Sequence, residues 1–175
     1  KYYSVSDAFR ALVAVDTAAA RKKVDGLLVR DSHQDVIRRA AISFFGSVKN
    51  DKNYNRLKEL AAYGGTTWDA RPEAVSQLSK YAKEKRETID TFVNLLKDRS
   101  RDVRRRAIFA LASYGDKTHL GPLDEVMFKD PALGRDIRYA KKRILNPPKK
   151  LTKTPLEKRL EEANKKLDEI KRLID

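Results

Sequence analysis

In the segment RDVRRRAIFALASYGD, residues 101–116, the apolar positions Val103, Ala107, Ala110, Leu111 and Tyr114 follow one another at steps of four, three, one and three. That spacing places all five on one side of a 3.6-period helix and predicts a buried stripe of mostly small residues. Arg104, Arg105 and Arg106 crowd the first turn, and Gly115 stands where a left-handed cap would close the helix.

The same pattern recurs along the chain. One unit before Val103 it gives Ala70, Ala74, Gln77 and Leu78, with Tyr81 in the place of Tyr114. An equal step further back lie Ile37, Ala41, Phe44, Phe45 and Val48, and a third step reaches Ser4, Ala8, Phe9, Ala11, Leu12 and Val15. One unit forward, Ile137, Ala140, Ile144 and Leu145 repeat it with the alanine one place early. A fixed period of roughly 30–40 residues predicts stacked units, none of which buries its apolar face alone.

The predicted elements pair up. Residues 1–16 read as the second helix of a unit whose first helix is absent, which leaves one apolar face uncovered. Residues 17–30 and 35–48 form the next pair, and 54–63 and 69–81 the pair after it, split by the Gly64-Gly65-Thr66-Thr67 turn. Pro72 falls in a first helical turn, where its missing N–H is harmless. Segments 84–97 and 102–114 follow, then 120–128 and 134–145. Pro147 and Pro148 end the array, so 147–155 reads as a Pro/Lys linker. A last helix over 156–175 opens with Thr154-Pro155-Leu156-Glu157 and carries Leu156, Leu160, Ala163, Leu167, Ile170 and Ile174 at coiled-coil spacing. Leu156, Leu160, Leu167, Ile170 and Ile174 are the candidate self-association seam.

The motif V-R-x-x-A-x-x-A-L resembles the short HEAT repeats, also seen as phycobilisome-lyase-type repeats, and the likeness covers residues 1–146. It implies an all-α fold: a right-handed α-solenoid of about four to five HEAT-like helix pairs, followed by a C-terminal coiled-coil-like helix. The stretch AAYGGTTWDARPEAVSQLSKYAKEKRETIDTFVNLLKDRSRDVRRRAIFALASYGD is also similar to the C-terminal HEAT-type region of some aminopeptidase N-like zinc metallopeptidases, the gluzincins. In that family the zinc motif and catalytic glutamate lie in an upstream domain, and no residue of this chain matches them. The resemblance therefore implies no catalytic, cofactor or metal-binding residue here, with zinc only in an upstream domain.

Charge changes the picture of partners. The 39 Lys and Arg against 25 Asp and Glu give a net charge of +14, and the mean hydropathy is −0.67. A basic chain is drawn to acidic partners and polyanions, and the polarity suits an elongated stack. There is no cysteine, hence no disulfide or thiolate site. His33 and His119 both fall in turns without a second metal-type residue at helical spacing, and read as solvated. No H-E-x-x-H, phosphate-cradling glycine loop or G-x-S-x-G occurs. No apolar run is long enough to span a bilayer, so no membrane partner is expected and the expected location is cytoplasmic. Lys1 in place of a methionine reads as a fragment of a longer protein.

Two rows of side chains are candidates. Asp69 with Arg71, Asp102 with Arg104 and Asp136 with Arg138 recur once per unit, with Asp35 and Arg38 slightly displaced. They read as a structural ladder across the stack in preference to a row of anion sites. On the outer side of the second helices a wheel places Arg39, Ser43 and Gly46, then Arg105, Phe109 and Ala112, with Ser6, Arg10 and Val13, Pro72, Ser76 and Ser79, and Tyr139 and Arg143 as equivalents. Arg10, Arg39, Arg105, Phe109, Tyr139 and Arg143 form the candidate partner-binding ridge. The expected function is a non-catalytic interaction or accessory domain, the C-terminal fragment of an aminopeptidase N-like zinc metallopeptidase. Its partner is then protein, peptide or an upstream domain of the same chain, with oligomerisation through the last helix as a further route. The alternative is a nucleic-acid-binding HEAT module with a basic concave face, resembling alkylpurine DNA glycosylases, in which Trp68 meets a base or sugar.

Overall fold

The computed structural model describes residues 2–147 together with Ala163, Asn164 and Lys166. The linker beyond Pro147 and the seam residues Leu156, Leu160, Leu167, Ile170 and Ile174 lie outside the described residues.

The fold is all-α, and the described residues contain no strand. In chain order the helices are α1 Tyr2–Val15, α2 Thr17–Leu28, α3 Val36–Ser47, α4 Asp51–Ala61, α5 Arg71–Leu78, α6 Glu87–Leu95, α7 Arg101–Tyr114, α8 Leu120–Lys129 and α9 Gly134–Leu145. Their starts follow local chemistry. Asp16, Asn50 and Ser100 accept hydrogen bonds from the backbone N–H groups of Ala19, Asn53 and Val103, which satisfies donors the first turn leaves open. The Asn50 cap is why α4 begins at Asp51, ahead of the expected Tyr54. Pro72 sits in the first turn of α5. That helix is short because a single 3-10 turn, Ser79–Tyr81, takes over its last residues.

The odd-numbered helices contact one another in series, α1 to α3, α3 to α5, α5 to α7 and α7 to α9. The even-numbered helices pack beside them, α2 on α1 and α3, α4 on α3 and α5, α6 on α7, and α8 on α9. One continuous core results. Ile37, Ala41, Phe44, Ala74, Leu78, Val103, Ala107, Leu111, Ile137 and Ala140 are all essentially inaccessible. These are the positions the repeat selects, because each second helix must meet its own first helix and both neighbouring second helices at once.

Three packing details depart from the wheel. Tyr114, placed in the stripe by its spacing, is 37% exposed, whereas its equivalent Tyr81 is buried and donates through Oη to the carbonyl of Phe45 at 2.7 Å. Gly115 is extended, with φ −74° and ψ 169°, and not left-handed. A glycine is needed there for closeness: a Cβ would stand 2.6 Å from the carbonyl oxygen of Leu111. Gly46, Ala112 and Ser6, which the wheel puts outside, are buried. Successive second helices approach so closely that a Cβ at Gly46 would overlap the side chain of Gln77.

In α1, Phe9 and Ser6 are buried while Ser4, Ala8, Ala11 and Val15 are exposed. Those four are the equivalents of Ile37, Ala41, Phe44 and Val48. Among the described residues α1 packs on α2 and α3 only, and neither covers these four positions.

Candidate charged cleft on the second-helix face

The arginines of the expected ladder are in place; Arg38 meets Asp35 as expected, whereas Arg71 and Arg104 take partners other than those the spacing predicts. Arg38 donates to the carbonyl of Leu28 at 2.6 Å and reaches the carboxylates of Asp35 and Asp31 and the hydroxyl of Thr67 in the following unit. Arg71 donates to the carbonyl of Ala61 and to Asp98, its side chain and that of Asp98 being only 5% and 8% exposed. Arg104 donates to the carbonyl of Asp98 and to the carboxylate of Asp130, each at 2.6 Å. Each guanidinium thus binds a backbone carbonyl that no helix satisfies and clamps an aspartate beside it. The hydrogen bond from Arg104 holds the Asp130 carboxyl below the usual carboxylate range, with Arg101 adding to the effect.

Asp69, Asp102 and Arg138, expected in these pairs, take no part. Asp98 and Asp130 replace Asp69 and Asp102, because they stand in the turns that lead into α7 and α9 and so lie opposite the arginine of the preceding unit. Arg138 is exposed. Asp136 pairs instead with Arg105, at 2.9 Å.

One residue further round the second helices, the ridge residues separate. Arg10 is exposed, pairs with Asp7 at 3.5 Å and lines a small cleft between α1 and α3 with Val13, Ser43 and Phe44. Phe109 is half-buried, meets Tyr139 edge-on at 6.0 Å and carries the Arg105 guanidinium 5.9 Å from its ring centre. Arg143 is half-buried. Ring faces attract cations, so the Phe109 contact adds to the hold on Arg105.

Arg39, Arg105 and Phe109 come together with residues the wheel does not single out. A cleft of about 540 Å³ opens across α3, α5 and α7, lined by Arg39 from α3 and by Arg105, Arg106 and Phe109 from α7. Pro72 and Glu73 of α5 lie between them, and Asp69, Asp102 and Gln34 complete the lining. It exists because the middle copy carries Pro72, where its neighbours carry Arg39 and Arg105. Gln34 and Asp35 adopt φ of 50° and 52°, a left-handed geometry uncommon outside glycine. That turn brings the Asp35 carboxylate onto Arg38 and Thr67.

Charge in the cleft is mixed. Glu73 accepts from Ser43 at 2.9 Å and from Gln77 at 2.6 Å. The side chains of Arg39, Arg106, Asp69 and Asp102 have no ion-pair or hydrogen-bond partner among the described residues. The fold therefore does not build the uniformly positive face that the wheel's arginines alone suggest. Asp69, Glu73 and Asp102 escape a wheel centred on the apolar stripe because they come from helix starts, where the spacing assigns the two aspartates to the ladder.

Trp68 is 72% exposed and Tyr63 71%, both away from the core. Tyr63 lies 5.5 Å from the guanidinium carbons of both Arg71 and Arg99. His33 is exposed, and His119 is held in the capping box of Asp116. No group of three or more metal-type residues clusters among the described residues, and no helix among them is long and apolar enough to cross a membrane. No family model, curated protein or solved structure matches the chain.

Proposed function

We propose that this chain is a non-catalytic interaction domain, a right-handed α-solenoid of HEAT-like helix pairs that holds polypeptide on the face of its second helices. The observation that carries the reading is the mixed-charge cleft, with Phe109 in its wall and Tyr139 against Phe109. Polypeptide offers cationic, anionic and apolar groups together, whereas a phosphate backbone offers one sign of charge and is repelled by Asp69, Glu73 and Asp102. The serial contact of the odd helices supports the solenoid, and the gluzincin likeness supports a place beside an aminopeptidase-type domain.

Panning a phage-displayed library of random peptides against the full chain tests this. Clones should be enriched, and their binding should fall at least about tenfold when Arg39, Phe109 and Tyr139 are all changed to alanine, as expected for partly buried anchors. The reading fails if no clone is enriched while a DNA duplex binds with a steep salt dependence, about −0.9 in log-log slope per neutralised phosphate. Loss of that duplex binding in the Arg39, Arg105 and Arg143 triple alanine variant would then establish the nucleic-acid alternative.

A further inference from the structure

Arginine stands at one place in four second helices, as Arg38, Arg71, Arg104 and Arg138. The first three each bind a carbonyl and clamp a carboxylate. Arg138 is exposed and makes no hydrogen bond or ion pair among the described residues. Asp130, the carboxylate in the turn ahead of α9, is already held by Arg104 and Arg101 of α7.

Two further cations stand beside Arg138. The buried residues of α9, Gly134, Ile137, Ala140 and Ile144, form one stripe where the helix packs on α7 and α8. At about 100° per residue, Arg135, Arg138 and Lys142 fall within about 60° of one another on the opposite face and span about 10 Å. All three are exposed and without an ion pair among the described residues. Asp136, the one acid of α9, is turned to Arg105. A further apolar unit stacked on this face would bury three cations without partners, which is costly, whereas an acidic one would neutralise them. We propose that the outer face of α9 docks an acidic segment of a partner polypeptide. Its carboxylates take the place at Arg138 that Asp98 has at Arg71 and Asp130 at Arg104. The surface lies on a helix that does not line the cleft and stands independently of the reading given to it. Carboxylates are what this arginine position binds elsewhere in the stack, and three cations within about 10 Å neutralise too few phosphates to hold a duplex firmly.

An anisotropy titration of the full chain into a fluorescein-labelled peptide of alternating Asp and Glu, at low ionic strength, tests the surface. Saturable binding is expected. Arg135→Gln with Arg138→Gln and Lys142→Gln should weaken it at least about fivefold, the combined effect of three exposed ion pairs. Lys22→Gln with Lys23→Gln and Lys83→Gln removes the same charge from exposed positions on other elements, and should weaken it less than about twofold, because exposed charges beyond a Debye length are screened. Every substituted side chain is exposed, so both variants keep the native fold. Equal losses in the two variants, or no saturable binding by the native chain, overturn the proposal. A labelled DNA duplex that binds the native chain more tightly than the peptide, and is released by the α9 variant alone, overturns it too and makes the face a nucleic-acid surface.

Discussion

Two rows of side chains run along the same second helices, one residue apart. Arg38, Arg71 and Arg104 are the same residue in three copies, turned into the stack and bonded to a carbonyl and an aspartate. Arg39, Pro72, Arg105 and Tyr139 differ from copy to copy, and the first three edge an open cleft. The first row is uniform because these three units present the same problem: a carbonyl at or just past the end of one helix and a carboxylate beside it. The second row faces solvent and is free of that demand. Where the stack repeats, it stabilises. Where the repeat is broken, at Pro72, it makes a shape that the repeat itself does not supply.

The largest effect should come from breaking the core beneath both rows. Leu111→Asp places a charge where no partner stands, and it should unfold the chain or cost at least about 4 kcal/mol in a denaturant titration. An unchanged midpoint would contradict the assignment of α7.

Next in size is the ladder. Arg71→Ala leaves the Asp98 carboxylate, 8% exposed, without its cation. Breaking a buried pair from one side typically costs about 3–5 kcal/mol, whereas replacing both partners with apolar residues is often near neutral. Arg71→Met with Asp98→Leu should therefore recover most of the loss seen in Arg71→Ala. Failure to recover would mean that the bonds from Arg71 to the carbonyl of Ala61 matter more than the ion pair.

Smaller still is the acid response. Asp130 has a depressed carboxyl pKa in the folded chain, so its contribution is present above the ordinary carboxylate value of about 3.9 and is lost as pH falls through the lower folded value. Asp130→Asn should flatten the decline of stability below about pH 4, with little effect on the slope near neutral pH. A steeper decline in the variant would reverse the sign of the assignment.

Much of the helical layout is legible in the sequence because it is set locally. The apolar period and the prolines mark the helices, and α9 begins and ends at the expected residues, whereas the Asn50 cap that starts α4 at Asp51 goes unread. The arginines of the ladder are legible too, since they recur at the period. Asp35 is legible as the acceptor of Arg38, but the acceptors of Arg71 and Arg104 are not, because Asp98 and Asp130 approach from turns of the following unit, a relation across the stack that no helical wheel contains. The cleft is half legible. Its arginines and Phe109 lie on the wheel's outer side, whereas Asp69 and Asp102 read as members of local pairs, and Gly46 and Ala112 vanish between helices. Both gaps come from treating each helix singly.

Arg38 and Arg39 are adjacent in the chain, and their alanine variants compare the two rows with the fewest other changes. The measurement is the melting temperature of each variant beside the native chain. Arg38→Ala leaves the Leu28 carbonyl without its donor and the Asp35 carboxylate without its cation, and a loss of about 3–5 kcal/mol at this chain length should lower the melting temperature by roughly 6–20 °C. Arg39→Ala, which breaks no side-chain bond among the described residues, should shift it by no more than about 2 °C, in line with surface substitutions. Equal shifts for the two variants would contradict the division between a stabilising row and an open one.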